Sequence, residues 1–430
     1  MLSRLRFFFF LFFAFCAVPC RAQNPASLTL AEAEKIAIEN HPQIQAAQYQ
    51  ANAAKAQVTQ ARSAYYPQVF GSLTGVESET DSRVTAGFLS NSIIYDRYAN
   101  GLTVNQLVSD FGRTHEFVKS ASLHAKAQQE NVVTSRADVL VAVDQAYYAV
   151  LKSQAVLKVA EETVKDRQLV SDQITELEKN KLKSGLDVSF ANVNLAEAQL
   201  LLIQAQNNLQ ASYADLSTAL GYSDQKSFTL SDESVPTAPP ADVTQLISQA
   251  LQNRPELIGG RLNVSSAQSY ATGERDLWFP TISTIGVAGL TPVHETALNG
   301  NRYAAAGFNV NIPIFNGRQF NALHAEATAQ AHAQEQYLRD LQNHVTSDVR
   351  KAWLDANSAF QRLDVTQQLL NQATQALDLA QQRYKLGLSS IIELSQAQLN
   401  MTQAEISQTS AKYDYAAAMS VLKFQIGDIH

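Results

Sequence analysis

Two long stretches of the chain, about residues 113–182 and 318–385, carry apolar side chains at every seventh position, with a second apolar row three or four positions away. In the second stretch the rows are Val349, Ala356, Leu363, Leu370, Leu377 and Tyr384, and Val345, Ala352, Ala359, Ala373 and Ala380. In the first stretch they are Val143, Val150, Leu157 and Val164, and Val139, Ala146 and Ala160. Such rows are typical of a coiled-coil seam, so we predict two helical rods, each roughly 105 Å long at ~1.5 Å per residue.

Each rod is predicted to turn at a glycine, Gly185 or Gly387, because glycine tolerates the positive φ of a tight turn. The helix that returns from the first turn carries Val188, Leu195, Leu202, Leu209 and Leu216 beside Ala191, Ala198, Ala205 and Ala219. A row of alanines lets a neighbouring helix approach closely. The pattern therefore predicts two long helical hairpins.

Between the helical stretches, residues 67–110 and 280–315 show short alternation of apolar and polar side chains, which is the period of β-strands. Each region has room for two strands of about ten residues, a length that suits a tilted membrane-spanning strand. The polar tips between these strands are predicted at Ser78–Arg83 and Asn299–Asn301. The alternation predicts Thr and Asn facing a lumen, and these side chains facing lipid: Leu102, Val104, Val310 and Ile312.

The chain contains an internal repeat, in which one sequence unit occurs twice. Asn40-His41-Pro42 matches Asn253-Arg254-Pro255, and Pro67 matches Pro280 at the same spacing. The later matches are Leu107–Arg113 with Ile312–Arg318, Lys183–Leu186 with Lys385–Leu388, and Leu220–Gly221 with Ile426–Gly427. Landmarks that recur in one order indicate a structural repeat, and the Pro-rich stretch Val235–Pro240 is predicted to link its two copies.

The chain is predicted to begin with a signal peptide, residues 1–22. The first copy of the repeat then comprises opening helices (23–66), a β-barrel hairpin (67–112) and a helical hairpin (113–221), and it is followed by a linker or equatorial segment (222–241). The second copy comprises opening helices (242–279), a β-barrel hairpin (280–317) and a helical hairpin (318–427), before a short tail (428–430).

Four strands cannot cross a membrane alone, because their edges would leave unpaired backbone groups in hydrocarbon, each costing several kcal/mol. Two copies give eight strands, a barrel filled by its own side chains, whereas three copies give twelve and leave room for water. The fold class predicted is mainly α with membrane β: a homotrimer in which long periplasmic hairpins form an α-barrel and four strands per protomer contribute to a twelve-stranded outer-membrane β-barrel.

Residues 1–22 have the features of a secretory signal, with Arg4 and Arg6 before an apolar run and Cys20-Arg21-Ala22 at the end. Both cysteines, Cys16 and Cys20, lie inside this segment, so the mature chain is expected to have none. The alternative is a lipoprotein acylated at Cys20.

Charge and motif content argue against several classes of function. A net charge of −7 gives no broad basic surface, which argues against nucleic acid as a partner. The eight histidines are scattered, and the sequence has no H-E-x-x-H, P-loop or G-x-S-x-G motif. We therefore expect neither an enzyme nor a metal site nor a cofactor.

Four motifs occur twice in the chain: the Asn-x-Pro opening, the aromatic-Pro step into the strands, the Gly-Arg exit at Gly112-Arg113 and Gly317-Arg318, and the glycine tip. With these motifs in this order, the chain resembles the TolC-like outer-membrane efflux duct family over about residues 28–427. The resemblance implies a homotrimeric exit duct of a tripartite efflux pump or type I secretion system in the outer membrane of a Gram-negative bacterium. It further implies that the periplasmic tips dock to a membrane-fusion adaptor, through which an inner-membrane transporter supplies energy.

In that family, acidic side chains past the second tip glycine close the resting duct. Glu393 stands at the first such position and Tyr384 matches the tip tyrosine, whereas Gln396 stands at the second acidic position and Ser389 replaces a basic gate residue. The first tip offers Asp187, although its position does not match the second-tip motif. The gate and lumen candidates are therefore Asp187, Tyr384, Glu393 and Gln396.

The two carboxylates have alternative interpretations. Repeated three times around a pore, each would form a cation-attracting ring. Otherwise Asp187 caps the returning helix, and Glu393 lies on a solvated coiled-coil flank. The resemblance also implies that the membrane-fusion adaptor docks at the residues of both tips: Lys183, Ser184, Gly185, Leu186, Lys385, Leu386, Gly387 and Leu388.

Aromatic residues cluster where helix meets strand, where they are predicted to form an interfacial belt contacting outer-membrane lipid. They are Tyr65, Tyr66, Phe111, Trp278, Phe279 and Phe315.

The functional expectation is a passive duct that conducts substrate from the periplasm to the outside. The alternative from another class is a non-conducting periplasmic coiled-coil protein that serves as a structural spacer or adaptor.

Overall fold

The computed structural model of the protein describes residues 27–79, 83–86, 89–93, 97–232, 234, 236–294 and 300–428. The predicted signal segment, with its acylation candidate Cys20, lies outside these residues, as do parts of both predicted strand tips and the end of the tail. The described helices are α1 (Leu30–Asn40), α2 (Pro42–Arg62), α3 (Arg113–Lys179), α4 (Gly185–Ala219), α5 (Val243–Asn253), α6 (Pro255–Arg275), α7 (Gln319–Lys385) and α8 (Ile391–Gln425). The described strands are β1 (Gln68–Val76), β2 (Arg83–Ala86), β3 (Leu89–Ile93), β4 (Arg97–Ser109), β5 (Thr281–His294) and β6 (Arg302–Asn311).

Two helical hairpins, α3 with α4 and α7 with α8, dominate the molecule. The long helices α3 and α7 have 67 residues each, about 100 Å at ~1.5 Å per residue. The predicted seam of α7 is buried at Val345, Val349 and Ala356. In α4 the alanines are the buried row: Ala191, Ala198 and Ala205 are each less than 5% exposed. Small side chains at this seam keep the two helices of the hairpin in close contact.

The shorter helices complete the length of the rods. Helix α2 packs on α3, and α6 packs on both α3 and α7. Both α2 and α6 begin with a proline, Pro42 or Pro255, at the first helical position, where the fixed φ of proline favours a helix and its missing N–H costs nothing. These prolines therefore separate α1 from α2 and α5 from α6 without interrupting a helix.

Four antiparallel strands form one sheet in the order β1-β4-β5-β6. The first strand region supplies the two strands predicted for it, β1 and β4, but it also contains β2 and β3, which pair with each other as a separate two-stranded sheet. The connection between β1 and β4 is long enough to contain this hairpin, whereas the connection between β5 and β6 is shorter and spans residues 295–301. Strands β1 and β6 lie at the edges of the four-stranded sheet, and each has one side without a partner strand among the residues that the structure describes.

The two copies of the repeat match more closely in structure than the sequence motifs indicated. The opening helices recur 213 positions apart, from Pro42 to Pro255, whereas the long helices recur 206 positions apart, from Arg113 to Gln319. The difference arises in the connection between the paired strands, because register in both hairpins is equivalent: Val69 pairs with Val104, and Ile282 with Val310.

The long helices recur 206 positions apart, and this spacing shows that the turn of the first tip was predicted at the wrong residue. Gly387 has φ +71°, as predicted, but Gly185 does not have positive φ, and the left-handed residue of the first tip is Lys181 with φ +62°. Ser184 caps α4 by accepting a hydrogen bond from the Asp187 amide, so Gly185 is already the first residue of the helix. The tight turn consequently falls four residues earlier than the glycine suggested.

The segment 222–241 between the two copies lies against the helices. Leu28 and Leu230 form a parallel bridge, and the Tyr147 hydroxyl lies 2.9 Å from the Leu28 carbonyl and 2.7 Å from that of Ser231. Further along, the indole of Trp353 donates to the Pro240 carbonyl at 2.7 Å. These contacts fix the segment halfway along the helical rods.

Candidate functional site

The tips of the two hairpins contain most of the residues predicted to form a gate. Helices α4 and α8 begin equivalently, with Ser184 and Ser390 as their caps. Asp187 and Glu393 each lie three residues after the capping serine. The prediction that Asp187 does not correspond to the second-tip motif is therefore wrong, because the two carboxylates occupy the same place in the repeat.

Asp187 caps α4. Its carboxylate accepts hydrogen bonds from the Ser184 amide at 2.9 Å and from the Ser184 hydroxyl at 2.7 Å. These bonds, led by that of the hydroxyl, and the nearby Lys183 ammonium hold the pKa of Asp187 below its usual range. The side chain is therefore ionised at neutral pH, and it supplies a fixed negative charge at the first tip.

Glu393 forms an ion pair inside the second tip. The Arg383 Nε atom lies 3.1 Å from Glu393 Oε1, with the side chains 55% and 45% exposed. Arg383 also donates to the Leu388 carbonyl at 3.4 Å. An exposed pair of this kind contributes ~0–1 kcal/mol, so it can orient the tip without locking it. Sequence reasoning missed Arg383 as a partner, although opposite charges on either side of a tight turn could have indicated it.

Tyr384 joins the two hairpins. The Lys183 Nζ atom lies 3.7 Å from the centre of its ring, and among the described residues its buried hydroxyl has no hydrogen-bond partner. Burial, with a smaller effect of Asp187, raises the pKa of Tyr384 to about 12. The ring belongs to a buried cluster drawn from α3, α4, α7 and α8: Ile174, Ala191, Ala380, Tyr384, Ile391, Leu394 and Ala397.

The remaining tip candidates are mostly exposed. Leu186, Leu386 and Leu388 present large apolar side chains at the end of the molecule, and so does Leu182, which was not among the predicted tip residues. Gln396 is exposed, and its amide donates to Asn400 one helical turn away at 2.9 Å. Gln396 therefore does not join the cluster around Tyr384. The hydroxyl of Ser389 is buried and has no hydrogen-bond partner in the part of the chain that the structure describes.

At the opposite end, the six aromatic residues of the predicted belt all lie at the junction of helices and strands, and all are at least 40% exposed. Phe111 and Phe279 contact each other across the two copies, with ring centroids 6.1 Å apart. Phe111 itself has φ +56° at the exit of β4, as Gly317 has φ +63° at the equivalent exit of β6. Their contact with lipid stays a prediction.

The register of the sheet separates two faces. Val104 pairs with Val69 and with Gly286, and Gly286 pairs with Ala306, so these residues share one face. Leu102 and Val310 lie on that face as well, and Ile312 follows the end of β6. The other face carries mostly polar side chains, together with the apolar Phe70, Ile285 and Val287. The polar ones are Ser72, Thr74, Thr103, Asn105, Ser283, Tyr303, Asn309 and Asn311.

This geometry of strands, rods and tips is shared with known proteins. The family model described as outer membrane efflux protein matches residues 35–222 and 246–428. The chain belongs to the outer membrane efflux protein family. The resemblance inferred from the repeated motifs is thereby confirmed, and so are the outer-membrane location, with a large periplasmic part, and the role as an exit duct in efflux or secretion.

Several curated relatives of this efflux protein span most of its length. The outer membrane efflux protein BepC of Brucella suis is 24% identical, covering 84% of this chain and 77% of its own. The alkaline protease secretion protein AprF of Pseudomonas aeruginosa is 23% identical, covering 94% and 85%. The outer membrane protein TolC of Vibrio cholerae is 24% identical, covering 93% and 91%.

Solved structures share the fold. A membrane protein from Pseudomonas aeruginosa superposes with a TM-score of 0.80 at 20% identity, covering 93% of both chains. The outer membrane protein VceC of Vibrio cholerae has a TM-score of 0.79 at 17% identity, covering 93% of this chain and 96% of its own. The family is one of channels rather than enzymes.

Proposed function

We propose that the protein acts as a homotrimeric, passive exit duct whose wall is complete only when three copies assemble. The observation that carries the proposal is the four-stranded sheet with β1 and β6 at its edges. In a membrane those edges need partners, since each unpaired backbone group in hydrocarbon costs several kcal/mol. Pairing β6 of one copy with β1 of the next, three times over, closes twelve strands around a water-filled lumen.

The helical part supports the same assembly. Among the described helices, α4 is long and apolar enough by length and composition to cross a membrane, yet only 11% of its most apolar window is buried. Its exposed apolar side chains include Val193 and Leu200, two members of one heptad row. Because α4 is one arm of a hairpin that packs along α3, we assign this row to contact with a neighbouring copy rather than with lipid.

The tips are the proposed entrance. Asp187 and Glu393, present in each of three copies, would place six carboxylates around the periplasmic mouth, a ring that favours cations. The Lys183–Tyr384 and Arg383–Glu393 contacts would hold the tips in their resting arrangement. The four exposed tip leucines provide apolar surface for a membrane-fusion adaptor, whose docking would compete with these weak contacts and open the mouth.

We assign the energy supply for transport and the selection of cargo to the partner proteins rather than to this chain. The relatives' names differ in cargo, from alkaline protease secretion for AprF to toluene efflux for a TtgC protein of Pseudomonas putida. A duct lined by generic polar side chains can serve such different substrates, with the inner-membrane transporter, reached through the adaptor, deciding what enters.

The test is single-channel recording of the purified protein in planar bilayers, together with chemical cross-linking to count subunits. The proposal predicts ohmic conductance that accompanies the cross-linked trimer. A protein that remains monomeric and never conducts would instead support the spacer alternative. Co-purification after cross-linking in cells would identify the adaptor.

A further inference from the structure

A cleft of about 320 Å³ lies between the two helical hairpins, close to their tips. Its walls come from α3, α7, α8 and the loop between α3 and α4. Clefts that bind small molecules have volumes of ~300–1,000 Å³ and combine an apolar lining with a few polar groups. The roles proposed above for the tips assign no ligand to this cleft.

Large apolar side chains form much of the lining. They are Leu169, Val170, Ile174, Leu177 and Leu394. Leu169 and Leu177 are 58% and 37% exposed, so part of this apolar surface is open to solvent. An occupant with an apolar body would remove that surface from water, which is favourable.

Gln398 brings an unpartnered polar group to the same cleft. Its side chain lines the cleft and is only 3% exposed, yet its amide makes no hydrogen bond within the part of the chain that the structure describes. The hydroxyl of Tyr384, another lining residue, is buried and also has no partner among the described residues.

Buried polar groups in folded proteins are nearly always hydrogen-bonded, so these two groups call for a partner from outside the chain. Water alone suits the cleft poorly, because an ordered water needs two to four polar partners and much of this lining is apolar. A molecule that is apolar over most of its surface and polar at one end suits it better.

The charge of the cleft indicates the sign of that polar end. Lys183 and Lys385 line the cleft, whereas no aspartate or glutamate does so among the described residues. The ion pairs at the tips join other side chains, Lys179 with Glu176 and Arg383 with Glu393. Asp187 acts on Lys183 electrostatically, but its carboxylate already accepts hydrogen bonds from the amide and hydroxyl of Ser184. The cleft is therefore positively charged.

We propose that this cleft binds a small amphiphilic anion, with its apolar body against the leucines of α3 and its carboxylate or sulfonate paired with Lys183 and Lys385. The amide of Gln398 donates a hydrogen bond to the same anionic group. Because the walls belong to both hairpins, the occupant joins them and opposes separation of the tips. This effect on opening rests on the proposed duct, whereas binding itself does not.

The experiment is isothermal titration of the full-length protein, reconstituted in phosphatidylcholine nanodiscs, with three probes that share one apolar body: naphthoate, naphthamide and naphthylmethylammonium. Empty nanodiscs give the blank. Naphthoate is expected to bind at one site per chain. The uncharged amide should bind about tenfold more weakly, and the cation more weakly still, because only the carboxylate pairs with the lysines.

Lys385→Met should weaken naphthoate binding by about tenfold and leave naphthamide binding nearly unchanged, since it removes a charge that only the anion uses. Lys181→Met is the matched control, because Lys181 is exposed at the same tip but does not line the cleft. Gln398→Leu should also weaken naphthoate binding, without lowering the midpoint of thermal unfolding, because it removes a buried amide that has no partner. A purely structural role of Gln398 would lower the midpoint instead.

Absence of naphthoate binding by the wild type would overturn the proposal, and so would equal affinities for naphthoate and naphthamide. Equal naphthoate binding by the wild type and Lys385→Met, or equal losses in Lys385→Met and Lys181→Met, would overturn it as well. Titration needs no current, so the two proposals fail separately. A protein that binds naphthoate but never conducts contradicts the duct, and a conducting protein that does not bind naphthoate contradicts the cleft.

Discussion

The Lys183 ammonium lies 3.7 Å from the centre of the Tyr384 ring, although the two residues belong to different helical hairpins. Lys183 is in the loop between α3 and α4, and Tyr384 is in the last turn of α7. A cation over an aromatic face contributes ~0.5–1 kcal/mol at exposed sites. A contact of this size can join the tips of the two hairpins and still yield to a docking partner.

Lys183→Ala is expected to loosen the tips. Loss of ~0.5–1 kcal/mol per protomer shifts a closed–open equilibrium by about two- to fivefold, so single channels should dwell longer in the higher-conductance state. Lys179→Ala is the control, since Lys179 forms an exposed ion pair with Glu176 within the same helix. Equal dwell times for both variants and the wild type would remove Lys183 from the gate.

The combined substitution Asp187→Asn and Glu393→Gln tests the proposed ring of carboxylates. The amide oxygen that Asp187→Asn introduces can still accept from the Ser184 amide, so the cap is largely kept while the charge is removed. We expect the reversal potential in a KCl gradient to shift towards weaker cation preference. Asp224→Asn, at an exposed carboxylate of the equatorial segment, should leave it unchanged; an unaltered potential in the double variant contradicts the ring.

Leu200→Glu is expected to disrupt assembly. Leu200 is 67% exposed in the single chain, and the proposed trimer buries it against a neighbour, where an unpaired charge costs several kcal/mol. Cross-linking should therefore recover monomers. Gln199→Glu adds the same charge at the adjacent exposed position and should still give trimers. Trimers of normal stability from Leu200→Glu would show that this row does not lie in the interface.

Gly289→Ala is expected to disturb the sheet. Gly101 and Gly289 are direct partners in β4 and β5, and Gly289 also pairs with Tyr303 of β6. A Cβ atom on Gly289 would collide with the Asn100 carbonyl and the Tyr303 ring, and overpacking of this kind typically costs ~1–3 kcal/mol. Gly286→Ala is the control, because a Cβ there meets no atom within 4 Å. We expect less assembled protein in the outer membrane for Gly289→Ala alone.

The residues show why part of this structure could be predicted and part could not. The seam through Val345, Val349 and Ala356 follows from local heptad spacing, and so do the two rods. The prediction of a turn at Gly185 is wrong because Ser184 and Asp187 form a cap that outweighs the conformational freedom of glycine. The Lys183–Tyr384 contact depends on how two hairpins pack, and residues about 200 positions apart leave no local pattern of such a contact.

The stability of the helical core should fall as pH rises, and Asp144 is the reason. Burial, as the largest effect, raises the pKa of Asp144 from 3.8 to about 7, with Ser420 and Lys423 opposing the shift and Glu34 adding to it. The folded protein thus binds this proton more tightly than the unfolded chain does. The resulting stabilisation is fully present below about pH 4 and is lost as the pH rises through about 7.

Thermal unfolding followed by circular dichroism, with a chelator present to exclude divalent ions, measures this effect. The midpoint of the wild type should fall between about pH 5 and about pH 8. Asp144→Asn cannot titrate, so its midpoint should change less over the same range, whereas Asp166→Asn, at an exposed position of the same helix, should behave as the wild type. If Asp144→Asn and the wild type lose stability equally, another group sets the pH dependence, and the carboxyl of Asp144 does not hold its proton in the folded state.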